Sequence, residues 1–239
     1  MQAIILAAGM GRRLGSLTAE NTKCMVKVNG TCLIDRMLRQ LKSLKLDRVV
    51  VVTGYEGERL RRHIENIPTD HRPPTVFIDN PDYATTNNIH SLWIARDYLA
   101  SDDTLLLESD IILDDGILQT LVESEWSDVA LVDKYQPWMD GTMVRIDPTE
   151  GHIVSFVPKK AFRYADIDSY YKTVNVYKLS QTFTTGQYLP FLDAYIRAMG
   201  QNEYYEQVLR VLTTIDSTSL KALPLPCGSR WYEIDDIQD

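Results

Sequence analysis

The chain has 239 residues, 44% of them hydrophobic, and its 25 basic and 33 acidic side chains leave a net charge of −8. That length is enough to bury a full core in one domain, and the acidic balance excludes a non-specific binder of nucleic acid or of an anionic membrane surface, because either needs a basic face. No run reaches the roughly eighteen apolar residues of a spanning helix, and the three cysteines, Cys24, Cys32 and Cys227, have no disulfide or metal-ligand spacing, so the chain reads as a reduced, cytoplasmic protein.

Apolar runs suited to buried strands fall at Ala3–Ala7, Val49–Val52, Val76–Ile78, Thr104–Leu107 and Val129–Val132, with helical stretches between most of them. This alternation predicts an α/β fold with a mostly parallel central sheet flanked by helices. The clearest helix follows Thr31, where Leu33, Ile34, Met37, Leu38, Leu41 and Leu44 recur near a 3.6-residue period. The prolines of Pro68–Pro74 mark a loop. After about Gly141 the pattern shortens to β-like pieces at Met143–Ile146, Ile153–Val157 and Thr173–Tyr177, followed by helices near Ser180–Met199 and Glu203–Leu212. This second half is expected to be a smaller β-rich insertion or lid. The four histidines, His63, His71, His90 and His152, are scattered along the chain and predict no zinc site.

The first strand runs directly into LAAGMGRRLG. Ligands of open α/β sheets sit beyond the carboxyl ends of the strands, so a glycine bend at that point is well placed to receive one. Gly9 and Gly11 let backbone N–H groups approach an oxygen-rich ligand, and Arg12 and Arg13 add planar forks suited to phosphate. The loop lacks the Gly-Lys-Ser/Thr ending of a P-loop, and Leu14 stands where a dinucleotide fingerprint needs its third glycine. Further on, NPDYATTNNIHSLWIARD offers amides and hydroxyls that suit the edge of a nucleobase, although Asn88 or Thr86 could equally cap the helix that follows.

TLLLESDIIL ends a buried strand in acids, and Asp110 there is suited to coordinating a hard cation. Glu108 is expected to point elsewhere, and Asp114 or Asp115 to cap a helix from Gly116. The closing SRWYEIDDIQD interleaves Glu233, Asp235 and Asp236 with apolar residues, which predicts a packed segment rather than a solvated tail. In DKYQPWMDG, Trp138 can face a cationic ligand or pack beneath the second half, and Asp140 stands close enough to neutralise an ammonium group.

LAAGMGRRLG followed by TKCMVKVNG resembles the signature of MobA-like NTP transferases, the nucleotidyltransferases that make nucleotide sugars, and their cytidylyltransferase relatives. The asparagine-serine stretch and the closing acidic motif are similar to those of bacterial phosphocholine cytidylyltransferases, with the aminoalkylphosphonate and phosphoserine enzymes alongside. Thr22 departs from the family's Pro-Lys, while Lys23 matches its lysine.

The resemblance implies a Rossmann-like fold of the nucleotide-diphospho-sugar transferase kind in a single domain over 1–239. Residues 1–140 would mainly bind nucleotide, and residues 141–239 would mainly bind acceptor and supply the closing metal motif. It implies transfer of CMP from CTP to phosphocholine, phosphoethanolamine, phosphoserine or 2-aminoethylphosphonate, with release of pyrophosphate. The nucleotide would meet Leu6, Ala7, Ala8, Gly9, Met10, Gly11, Arg12, Asn87, Asn88, Ser91 and Ser109. Lys23, Arg13 and Lys134 would act on the phosphates, and Asp110 and Asp235, backed by Glu233, would hold Mg2+. Trp138, Asp140, Tyr204 and Tyr205 would wall the acceptor.

A sugar-1-phosphate nucleotidyltransferase and a non-catalytic nucleotide-binding module are the competing readings. The exact amine, CTP against UTP, the oligomeric state and a fused or separate pyridoxal-phosphate-dependent partner stay open, as do the roles of Lys159, Lys160, Arg163 and Lys172.

Overall fold

Each of the five early apolar runs is a strand of one sheet in the computed structural model, which describes residues 1–236 apart from the side chain of Lys159. Strands β1 (Gln2–Ala7), β2 (Arg48–Thr53), β3 (Thr75–Asp79) and β4 (Thr104–Glu108) run parallel in the spatial order β4-β1-β2-β3. All six residues of β1 are buried because both faces of the sheet are covered.

Successive side chains of β1 enter different cores, as the two-residue strand period requires. Ala3, Ile5 and Ala7 pack with Ile34, Met37, Leu38 and Leu41 of α1 (Leu33–Ser43), Leu60 and Ile64 of α2 (Gly57–Glu65), and Leu118 and Leu121 of the helix Ile117–Glu123. Ile4 and Leu6 pack with Ile89 and Leu92 of α3 (Asn88–Ile94) and with Leu192, Val208, Leu209 and Leu212 from two later helices.

The second half departs from the expected insertion. Met143–Ile146 and Ile153–Val157 do form an antiparallel hairpin. The piece expected at Thr173–Tyr177, however, is a strand of ten residues, Tyr170–Leu179, lying between β4 and Val129–Lys134 and antiparallel to both. Val174, Val176, Tyr177 and Leu179 are completely buried there, so the second half supplies a central strand of the main sheet. The last of its strands, Lys221–Pro224, runs parallel to Val129–Lys134.

The helix expected over Ser180–Met199 is broken into a short start capped by Ser180, a wide turn over Thr184–Tyr188, and Leu189–Met199. The final long helix is Glu206–Ile215. No helix among the described residues is long and apolar enough to cross a membrane.

Two small pairings complete the cleft side. Lys27–Val28 pairs with Thr31–Cys32, and Ile111–Leu113 pairs with Trp231–Glu233. The second joins residues more than a hundred positions apart and carries the closing acids to the end of β4; Ile234 N–H donates to the carbonyl of Asp110 at 3.0 Å. Asp114 and Asp115 do not cap the following helix. Gly116, at φ 92°, takes that position without a side-chain bond, while Asp114 accepts from Arg230 and Asp115 from Gln40.

Candidate active site

A cleft of about 700 Å³ opens at the carboxyl ends of the parallel strands. One wall is the glycine loop. Leu6, Ala8, Gly9, Gly11, Arg12, Arg13 and Lys23 line it, while Ala7 belongs to the buried strand and Met10 lies beside the wall, its sulfur 3.7 Å from the Arg12 guanidinium. Gly11 has φ 59°, a left-handed conformation that disfavours any Cβ. A Cβ there would also sit 3.0 Å from Cβ of Lys23 and 3.1 Å from Cγ2 of Thr18. The loop is anchored from below, where Leu14 is buried with Val26, Leu33 and Ile234. One apolar contact set thus fixes the opening loop and the closing acidic segment to each other.

Lys23 is the electrostatic centre of this wall. Its Nζ lies 2.5 Å from Oδ2 of Asp110 and 2.5 Å from Oδ1 of Asp235, and Arg13 reaches the same Asp235 oxygen at 2.9 Å. Burial disfavours the ammonium, but the two carboxylates outweigh it and hold Lys23 well above the usual lysine range. Thr22, at φ −69°, adopts a backbone angle that the family's proline would also take, so the departure leaves the lysine in register.

The side of the cleft expected to meet the nucleoside is built by α3. Asn87 caps it by accepting from the Asn88 backbone N–H at 2.8 Å, rather than Asn88 or Thr86 doing so. Asn88 spans the cleft floor, donating from Nδ2 to Glu108 at 3.3 Å and accepting at Oδ1 from the Tyr205 backbone at 3.0 Å. Ser91 accepts from Asn80 Nδ2 at 3.1 Å. Asn87, Asn88, Ser91 and Ser109 all line the cleft.

The wall that continues from Asp110 is acidic. Glu108 points into the cleft, contrary to expectation, because it and Asp110 stand two residues apart and return to one side. Carboxylate oxygens of Glu108, Asp110 and Glu233 lie within 4.8 Å of one another. Glu233 accepts from Lys172 at 3.1 Å and from Asn175 Nδ2 at 3.2 Å. Asn175 sits at φ 58° inside its strand, where the pairing register shifts; this turns its amide toward Glu233. Lys172 is buried beneath Gly141, whose missing Cβ would lie 2.9 Å from its Cε.

Glu206, the first residue of its helix, also enters this wall and is 5% exposed, and its Oε2 has no hydrogen-bond partner among the described residues. Burial pushes its carboxyl up to about 7. Burial, with Glu206, Asp110 and Glu233 close by, pushes Glu108 well above the ordinary range, and burial raises Glu233 as well.

Among the residues expected to wall the acceptor, Asp140 and Tyr204 line the cleft. Tyr205 does not: it is fully buried, its ring edge-on to Tyr177 at 5.8 Å. Trp138 is 68% exposed and stands outside the lining. Lys134 is also displaced, because its strand directs it to the carbonyl of Asp168 and over the Tyr171 ring at 4.4 Å. Glu206, Gln207 and Arg210 line the cleft without having been singled out in the sequence, since one helical face reaches it from a distant part of the chain.

A hard cation fits the donors present. Asp110 is 7% exposed, and its Oδ1 is buried without a hydrogen-bond partner among the described residues, an uncommon condition for a carboxylate oxygen unless a ligand completes it.

A strand-end glycine loop, a clasped lysine and adjoining acids define a nucleotidyltransferase. Residues 3–173 match the MobA-like NTP transferase domain, and the chain belongs to that family. The whole chain is 29% identical to the CMP-5'-(3-aminopropyl)phosphonate synthase of Streptomyces rubellomurinus, of which it spans only 37%. It is 27% identical to the CTP:phosphoglutamine cytidylyltransferase of Campylobacter jejuni, covering all of this chain and 97% of that one. The fold is shared with the CTP:phosphocholine cytidylyltransferase of Streptococcus pneumoniae at a TM-score of 0.79 and 22% identity, over 99% of this chain and 94% of that one.

Proposed function

We propose that the chain transfers CMP from CTP to a small phosphorylated or phosphonated amine and releases pyrophosphate. The observation that carries this reading is the convergence of Asp110 and Asp235, 125 positions apart in the chain, on the Lys23 ammonium beside the glycine loop. An acceptor phosphate or phosphonate oxygen attacks the α-phosphorus, the new P–O bond forms, and the bond to the β-phosphate oxygen breaks. The attacking oxygen is already anionic, so the protein's part is to position the groups and balance charge.

Backbone amides of Gly9–Gly11 with Arg12, Arg13 and Lys23 hold the triphosphate and then the leaving pyrophosphate. Asn87, Asn88, Ser91 and Ser109 orient the nucleoside. Asp110 and Asp235, with Glu233 behind them, would hold Mg2+, which would supply neutralisation of phosphate charge during transfer. On this reading residues 1–140 serve mainly the nucleotide and residues 141–239 mainly the acceptor, with Glu108 crossing over.

The amine is met by the acidic wall. Glu206 and Glu108 are buried carboxyls short of cationic partners, a setting that favours a positively charged ligand. Asp140 and the exposed ring of Tyr204 flank them on the cleft. Several relatives are named for the same chemistry: aminopropylphosphonate, aminoethylphosphonate and choline phosphate, each with a cytidine nucleotide.

The test is pyrophosphate release with each of the four nucleoside triphosphates against phosphocholine, phosphoethanolamine, phosphoserine, 2-aminoethylphosphonate and glucose 1-phosphate. Turnover is expected with CTP and one of the amines. Turnover with the sugar phosphate alone would transfer the reading to a nucleotide-sugar enzyme, and nucleotide binding without any turnover would make the chain a sensing module.

A further inference from the structure

A second group of ligating side chains lies on the outer helical layer, formed by residues the transfer reaction does not use. Cys32 ends the short hairpin and stands just before α1, Asp35 lies in the first turn of α1, and His63 lies in the last turn of α2. The Cys32 sulfur, an Asp35 carboxylate oxygen and a His63 ring nitrogen lie within 4.8 Å of one another. His63 Nε2 is 2.6 Å from Asp35 Oδ1.

The donors differ in kind from those of the cleft. Oxygen alone suits a hard ion there, whereas sulfur, imidazole nitrogen and carboxylate oxygen together match the preferences of a borderline-soft divalent ion. Cys32 is 3% exposed, so the sulfur is shielded, while the side chains of His63 and Asp35 are 30% and 32% exposed and leave one side open to water. A shielded thiolate with two further ligands and an accessible fourth position is the arrangement of a three-ligand zinc site. Burial and the neighbouring Asp35 carboxylate push the Cys32 thiol up, so the free side chain holds its proton and gives it up only to a bound cation.

We infer that Cys32, Asp35 and His63 form a zinc-binding site, distinct from the cation site of the cleft, that ties α1 to α2. Binding releases the Cys32 thiol proton to solvent. The consequence for the cleft runs through the next residue, because Leu33 packs with Leu14 and Ile234 beneath the glycine loop.

Cobalt(II) titration of the full chain tests this. Thiolate-to-cobalt charge-transfer absorption in the near-ultraviolet is expected to saturate at one ion per chain and to be displaced by zinc. The oxygen donors of the cleft cannot produce that band, so Asp110→Asn retains it and the result is independent of whether the transferase reading holds. Cys32→Ser abolishes the band, Cys227→Ser retains it, and His63→Ala weakens binding at least about tenfold. Zinc raises the Tm of the wild type but not of Cys32→Ser, whose near-ultraviolet circular dichroism without metal shows that it is folded. Absence of the band in the wild type, its survival in Cys32→Ser or its loss in Cys227→Ser would overturn the site and leave His63 and Asp35 as an ion pair between helices.

Discussion

The two walls of the cleft handle charge in opposite ways. On the glycine-loop wall a buried lysine is clasped by two carboxylates, with Arg13 adding a second cation to one of them. On the adjoining wall Glu108, Glu206 and Glu233 crowd together, and Lys172 pairs with Glu233 at 3.1 Å. The first wall is balanced before substrate arrives, whereas the second is short of positive charge. On the proposed function, this difference would give the phosphates to the loop and selectivity for a cationic acceptor to the acids.

Breaking the balanced wall should give the largest effect. Asp110→Asn removes a partner of Lys23 and a proposed metal ligand, and pyrophosphate release should fall by at least about a hundredfold while circular dichroism stays that of a folded protein. An active Asp110→Asn enzyme would remove that aspartate from the site.

Neutralising the acid-rich wall should act on the acceptor instead. Glu206→Gln is expected to raise KM for the amine substrate by about 10- to 100-fold, with a smaller change in kcat and none in CTP affinity. The same variant reports the buried charge through stability. With its carboxyl at about 7 in the fold against an ordinary 4.5, Glu206 contributes stability that is present below pH 4.5 and lost as pH rises through 7. The Tm of Glu206→Gln relative to wild type should therefore increase between pH 5 and pH 8; a difference independent of pH would mean that the carboxyl titrates normally.

The loop itself gives a middle-sized effect. Gly11→Ala forces a Cβ into a left-handed position crowded by Lys23, and CTP binding should weaken about tenfold, measured by titration calorimetry. In the adjoining wall, Asn175→Gly should melt higher than Asn175→Ala, by about 1 kcal/mol, because glycine accepts φ 58° and alanine does not. The smallest effects belong to Trp138→Ala and Lys134→Ala, which stand outside the cleft and should change kcat/KM by less than about threefold. A large rise in the acceptor KM for Trp138→Ala would extend the acceptor site to that rim.

The parts of this protein that a short stretch of chain can define were readable from its residues. The first five strands, the amphipathic α1 and the glycine loop all follow from local periodicity, backbone freedom and adjacency to a strand end, while Lys23 was found through the family resemblance. The convergence of Asp110 and Asp235 was expected only through the resemblance of the closing acidic motif to that of the cytidylyltransferases; the interleaved Trp231 and Ile234 indicated that the segment packs, not where.

The acidic wall was decided elsewhere. Glu206 and Arg210 arrive on one helical face, Glu233 on a two-stranded pairing, and Asn175 through a register shift in a strand that inserts between β4 and Val129–Lys134. The misplaced expectations have the same origin. Tyr205 neighbours a true cleft residue, Tyr204, but the helix turn sends its ring into the core, and Lys134 follows its strand to the other side. Hydrophobic period and turn chemistry are properties of neighbouring residues, so the sequence determined the strands and the glycine loop. Which distant side chains share a low-dielectric wall depends on how whole elements pack, and that only the tertiary structure decided.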